Sequence, residues 1–389
     1  MNRNLWLLAV CQGLFLTNNV TFIAINGLVG LSLAPLGWMA TLPVMGYVVG
    51  SALATGVVAR TQRQLGRQRS FQLGLCVAFL SALLCTYAAA SRNFWLLCFA
   101  TVVAGYYNAN AGLYRFAAAE LAGPGSRDKA VSLVMAGGLL GAVVGPNLAA
   151  RTRDLFDAPF AGAYVALAAV ALLAMLLLSF ITFAPAPAPG TAVTGRSLRR
   201  IMAQPVFILA AAAGSLSYGV MNLLMAATPI AMQQCRLPFS DTALVLEWHV
   251  IGMFAPSFFT GSLIKRFGPM PIMGIGVALN LACVLVALSG VELQQFLVAL
   301  FLLGVGWNFL FTGSTTLSLS AYSPDERDRA QGALNFFVFA TLAVSSLASG
   351  VLVTTRGWTL LNYGSLLPLT VIACALVWLG LRNARPATA

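Results

Sequence analysis

An all-α polytopic membrane protein, with twelve transmembrane helices in two pseudo-symmetric six-helix bundles, is the fold class this sequence predicts. Three observations carry the prediction. Of 389 residues, 59% are apolar and only 8% are charged, with a mean hydropathy of +0.87; a soluble domain has about 25% charged residues. The apolar residues gather into about twelve runs, each near the roughly 20 residues that cross a bilayer as a helix. The second half also repeats features of the first.

The runs are expected at 5–32, 36–59, 70–91, 93–117, 131–150, 160–183, 205–232, 241–264, 269–290, 293–320, 330–354 and 358–381. The first is far longer than the roughly 7–15 apolar residues of a signal-peptide core, so it reads as a retained helix. Basic residues fall mostly on one side of the predicted spans. Arg60, Arg63, Arg67, Arg69, Lys265 and Arg266 belong to that side, and Arg92, Arg151, Arg153, Arg236 and Arg356 to the other. The positive-inside rule then places both termini in the cytoplasm. The net charge of +12 is thereby a matter of topology, and no nucleic-acid partner is expected. The seven cysteines show no CxxC spacing, which argues against a disulfide framework or a zinc ribbon.

The stretch Ala184–Gly190 alternates Ala and Pro and cannot be helical; Arg196–Arg200 follows as a basic segment. This divides the chain into an N-terminal bundle (1–183), a cytoplasmic linker (184–204) and a C-terminal bundle (205–389). The bundles repeat at an offset of 200: Pro124-Gly-Ser-Arg-Asp-Lys-Ala130 recurs as Pro324-Asp-Glu-Arg-Asp-Arg-Ala330, and Asn108 matches Asn308. Gly56–Arg69 finds its partner in Gly261–Gly268. Internal repeats of this kind build transporters that alternate access around a midplane site.

Gly56-Val-Val-Ala-Arg60 through Gly66-Arg67-Gln-Arg69 resembles the signature loop of the major facilitator superfamily, and Gly141-Ala-Val-Val-Gly-Pro146 its helix-five glycine–proline motif. The resemblance spans essentially the whole chain. The loop's usual Asp is replaced by Arg60 or its neighbour and by Lys265 in the second copy, so the gating role of that Asp is not carried over.

The chemistry concentrates between Met221 and Met253. Residues four apart on a helix lie about 40° apart, so Met221 and Met225 share one face, and His249 and Met253 another. His249 is the sole histidine, and a Met four residues after it has a chance expectation of about 0.03. An ionisable side chain in a span marks a functional position by default. Thioethers and a neutral imidazole make a soft ligand set suited to Cu(I). The bland reading is that the methionines are flexible gap-fillers and His249 is bonded to a neighbouring helix. Met232 and Cys235 continue the sulfur stripe of span seven at about +20° and −40° from Met221, as an expected outer relay. Glu247 lies about 200° from His249 and can either carry a coupling proton or pair with Arg236. Asn18, Asn19, Tyr106, Tyr107, Asn108 and Arg115 are candidates to line the N-terminal half of a cavity; Asn308 is the counterpart of Asn108 in the second half.

MxxxM in span seven and HxxxM in span eight, 28 positions apart, together with Met253-Phe-Ala-Pro-Ser-Phe-Phe-Thr-Gly261, resemble the CcoA-type bacterial copper importers. That resemblance implies copper import into the cytoplasm for assembling haem–copper cytochrome oxidases of the cbb type, with Met221, Met225, His249 and Met253 as ligands. Copper is then cargo: no cofactor, no enzymatic activity and no catalytic residue is expected. The expected partners are the copper ion and the lipid bilayer, with a monomer sufficient. No GxxxxGK[ST] sequence is present, which argues against an ATP-driven pump. The competing reading is a facilitator for a small organic solute such as riboflavin or a drug, with His249 bonding the substrate. A metal or redox sensor would need a signalling module for which the linker and short termini leave no room.

Overall fold

The computed structural model describes residues 2–122, 127–183, 195–323 and 326–384, which are helical apart from short turns. Of the sequence features above, Ala184–Gly190, Pro124–Ser126 and Pro324–Asp325 lie outside the described residues.

The N-terminal bundle begins with α1 (Arg3–Leu33). Next comes α2 (Leu42–Ala90), two helical arms, 42–65 and 67–90, each about 36 Å long, so that it crosses the ~30 Å hydrocarbon core twice. It does so because Gly66, at φ 75°, breaks its path. Residues Arg60–Leu65, predicted as a loop, continue the helix beyond the membrane up to that glycine, since polar side chains outside the bilayer do not oppose helix formation. The fourth span is split into α3 (Phe94–Ala111) and α4 (Tyr114–Leu121). The bundle closes with α5 (Arg127–Thr152) and α6 (Ala161–Ser179).

A short helix, α7 (Leu198–Met202), leads into α8 (Pro205–Gln234), whose Pro occupies the first turn, where no backbone N–H is needed. The eighth span is α9 (Phe239–Phe254) plus α10 (Ser257–Phe267), interrupted at Ala255-Pro256 because Pro has no N–H to continue the ladder. Then come α11 (Pro269–Leu288), α12 (Leu293–Ser318), α13 (Arg327–Thr355) and α14 (Gly357–Ala384). The turn between α10 and α11 pivots on Gly268 at φ 84°. The two halves therefore make the same inter-span turn on the same residue type in the same left-handed region, open to Gly at no steric cost. This is the repeat expressed in backbone geometry.

The bundles meet face to face at the end away from the termini. There Thr41 Oγ1 donates to the Ser346 carbonyl at 2.6 Å, and Asn147 Nδ2 donates to Glu247 Oε2 at 2.8 Å. Phe160 packs edge-on to Phe239 at 4.9 Å, with the Arg153 guanidinium over both rings. At the other end, Asn2 Nδ2 bonds the Leu121 carbonyl and Asn4 Nδ2 the Thr182 carbonyl, all within the N-terminal bundle. The linker residue Arg196 is held to Glu326 of the C-terminal bundle at 2.7 Å. All seven cysteines are free.

Candidate functional site

Two places deserve a functional reading, and they lie at different depths. The deeper one contains the sequence-predicted ligands. Met221 and Met225 on α8, and His249 and Met253 on α9, are each buried, His249 at 0% exposure. The three methionines belong to one packed cluster. His249 Nδ1 lies 2.7 Å from the Leu300 carbonyl oxygen of α12. A carbonyl only accepts, so Nδ1 carries the proton and the lone pair of the neutral ring sits on Nε2. That Nε2 is buried and has no partner among the described residues. The α9–α12 approach depends on Gly304, where a Cβ would collide with the His249 carbonyl oxygen. His249 thus satisfies the bland reading through one nitrogen and leaves the other bare.

The proposed outer relay is less open. Met232 is fully enclosed at 0% exposure, and Cys235 is the half-buried residue that ends α8.

Glu247 requires a correction. Its carboxylate accepts from Asn147 of α5, and among the described residues no ion pair joins it to Arg236. Arg236 lies exposed in the turn after α8 at φ 60°, whereas Glu247 sits eight residues into α9, about 12 Å deeper. Asn308 is saturated: its amide donates to the Met253 carbonyl and Ser257 Oγ, and its oxygen accepts from Thr260, all at 2.7 Å. It bridges the α9–α10 break, bonding the Met253 carbonyl on one side and Ser257 and Thr260 on the other. Asn108 does similar work in the first half, donating to Ser51 at 2.8 Å and accepting from Asn19 at 3.2 Å. Both asparagines brace the fold. Tyr106 is tied to Thr61 at 3.0 Å, and Asn18 and Tyr107 are buried.

The second place is a cavity of about 270 Å³ on the face that carries the termini, between the bundles. Arg115 and Phe116 of α4 form one wall. The opposite wall comes from α8, α12 and α13, including Ser215, Phe311, Ser314, Thr315 and Gln331. Among its lining residues Arg115 is the sole charged side chain, and none is an acid, thiol, thioether or imidazole. Behind Phe311, Trp307 is stacked at 5.1 Å and 10°, and Tyr218 stands edge-on at 5.3 Å. Of the residues named from sequence for a cavity, Arg115 lines it. Phe311, Ser314, Thr315 and Ser318 line it as well, and their three- and four-residue spacing puts them on one helix face.

At the signature loop, Arg67 forms a bidentate pair with Glu120 of α4, at 2.6 and 3.0 Å. Here the loop is fastened by an Arg rather than by the missing Asp.

A family model described as Major Facilitator Superfamily matches residues 5–248 and 210–389. The riboflavin transporter RfnT of Brucella anthropi is 38% identical over 383 residues, covering 98% of this chain and 96% of that protein. The uncharacterized MFS-type transporter YddS of Bacillus subtilis is 27% identical over 87% of this chain and 82% of its own length. Among solved structures, the POT family transporter PepTSo aligns with a TM-score of 0.72 at 11% identity, over 96% of this chain and 98% of its own. A bacterial metal transporter aligns with a TM-score of 0.69 at 14% identity, over 99% and 100%. At such identities these two structures speak to the fold alone.

Proposed function

The chain belongs to the Major Facilitator Superfamily, and on that premise we propose that this secondary transporter carries a small, planar organic solute of the flavin class by alternating access. The observation that carries the reading is the chemistry of the cavity between the bundles. It combines aromatic walls and hydroxyls with one guanidinium and no acidic or soft ligand. A fixed positive charge repels a copper cation on its way through, while its N–H groups suit carbonyl acceptors. The relative named a riboflavin transporter supports the same class.

The expectation of copper import for oxidase assembly therefore gives way to the organic-solute reading. One observation keeps copper as a second reading: the Nε2 of His249, buried and without a partner among the described residues, on the same helix as Met253. On either reading the bodies that rock are residues 1–183 and 205–389, joined by 184–204. The bundles are closed at the end opposite the termini and parted by the cavity at the termini's end. With the termini in the cytoplasm of a bacterial inner membrane, as the basic residues favour, this is an inward-facing conformation.

Parallel uptake of radiolabelled riboflavin and ⁶⁴Cu by cells expressing the wild type tests the reading. Riboflavin uptake above an empty-vector control, with ⁶⁴Cu at control level, is expected. Copper uptake without riboflavin uptake would reverse the order of the two readings.

A further inference from the structure

We propose that the cavity on the termini's face holds a ring-binding subsite, in which Phe116 and Phe311 flank a planar heteroaromatic ring and Arg115 takes the ring's carbonyl edge. The inference rests on the flavin reading and adds to it the residues and the hydrogen-bond pattern of recognition.

The pattern follows from where the protons of the lining groups are already committed. Ser215 Oγ donates to the Ala211 carbonyl at 2.6 Å, and Thr315 Oγ1 to the Phe311 carbonyl at 2.7 Å. Ser314 and Ser318 donate likewise to carbonyls of their own helix, at 3.0 and 2.7 Å. A hydroxyl has one proton, so each of these groups turns only lone pairs toward the cavity. The α8 and α12 wall therefore receives donors from a ligand. The opposite wall supplies donors. Arg115 lies over the Phe116 ring, 4.9 Å from its centroid, and is joined to no carboxylate among the described residues. Stacking on an aromatic face leaves the in-plane N–H fork free for acceptors.

The ligand that satisfies both walls is flat, with adjacent acceptors toward Arg115 and N–H or hydroxyl donors toward α12. Riboflavin has that arrangement: its isoalloxazine ring sets a carbonyl beside a ring nitrogen (C4=O with N5, C2=O with N1) as an acceptor edge, and its N3–H and ribityl hydroxyls are the donors. Phe311 is braced for the purpose by Trp307 and Tyr218 behind it.

The test is a titration of riboflavin fluorescence with the purified full-length protein in detergent. Lumiflavin, which has the ring without the ribityl chain, and ribitol serve as competitors. Lumiflavin is expected to displace riboflavin and ribitol is not. Arg115→Gln is expected to weaken riboflavin binding about 10-fold or more, the scale of a charge-assisted hydrogen bond. Phe311→Leu should weaken it about 3- to 10-fold, and Phe311→Tyr should keep it. Should Arg115→Gln not be recovered monodisperse, Arg115→Lys carries the same test, since it keeps the charge but loses the planar fork. Wild-type binding with both Arg115 variants and Phe311→Leu unchanged would overturn the subsite while leaving the flavin reading in place. Competition by ribitol alone would do the same. A wild type that binds neither riboflavin nor lumiflavin would overturn both.

Discussion

His249 is buried at 0% exposure in a span, bonded through Nδ1 to the α12 backbone and, among the described residues, unpartnered at Nε2. These facts separate its structural work from any ligand role. The Leu300 bond ties α9 to α12, and its loss with the imidazole's volume should destabilise the fold by about 2–4 kcal/mol. The lone pair at Nε2 is what Cu(I) would need, and a riboflavin ring in the cavity would not touch it, because His249 is not among the cavity's lining residues. His249→Ala is therefore expected to lower the thermal midpoint yet keep riboflavin uptake within about threefold, since nothing that contacts the ring changes. Under anaerobic, reducing conditions, any Cu(I)-induced rise of the wild-type midpoint should vanish in the variant. A wild type with no such rise removes the copper reading, and riboflavin uptake abolished in well-folded His249→Ala would bring His249 into the organic-solute site. The sequence pointed to this residue because a lone histidine in lipid is conspicuous. It could not show that one nitrogen was already spent, since the acceptor, Leu300, lies 51 positions away.

At the level of elements, helix positions were legible because hydrocarbon forces every spanning segment to satisfy its own backbone and to be apolar. All twelve predicted spans correspond to observed helices. Breaks within spans were harder to read. The split at Ala255-Pro256 has a proline to announce it, whereas the one between Ala111 and Tyr114 has only Gly112. Contacts between elements were least legible, because they depend on which small residue faces which backbone: Gly304 is apolar on any scale, yet its missing Cβ sets the α9–α12 distance. Gly304→Val is expected to force those helices apart, lowering the thermal midpoint and reducing uptake of the transported solute at least 10-fold at matched expression. Unchanged uptake and midpoint would show that this crossing is not tight. The linker's docking is a second contact invisible in the sequence. Hydrogen bonds from the Arg196 guanidinium and from the Ser323 and Arg196 backbone N–H groups hold the Glu326 carboxyl well below the usual carboxylate range. A carboxyl depressed in the folded state stabilises it above the unfolded pKa, near 4.3, and loses that contribution as pH falls toward the folded value. The midpoint gap between wild type and Glu326→Gln should thus be full above about pH 5 and narrow progressively below about pH 4. A gap independent of pH from 3 to 7 would mean the pair does not hold the linker.

For the whole molecule, the expected twofold repeat holds in the backbone: Gly66 and Gly268 make matching turns, and Asn108 and Asn308 brace matching spans. Among the described residues, the hydrogen bonds between the bundles lie at one end, where Thr41 meets Ser346 and Asn147 meets Glu247. Neither pair could be read from sequence, since each joins residues 100 or more positions apart in different halves. If transport requires the bundles to part at that end while the cavity closes at the other, then fastening this contact must stop the cycle with the cavity still accessible. The Asn147→Cys/Glu247→Cys double variant, on a background with the seven native cysteines replaced, offers the test. A short bis-methanethiosulfonate reagent should cross-link the pair and abolish solute uptake, and reduction should restore it. Each single variant treated alike should retain uptake, which separates the cross-link from loss of the Asn147–Glu247 hydrogen bond. The cross-linked protein should still bind riboflavin in detergent with the affinity of the reduced form, because the binding cavity lies at the opposite end. Uptake that survives complete cross-linking would mean these helices do not separate during transport, and the rocking mechanism would have to be abandoned for this chain.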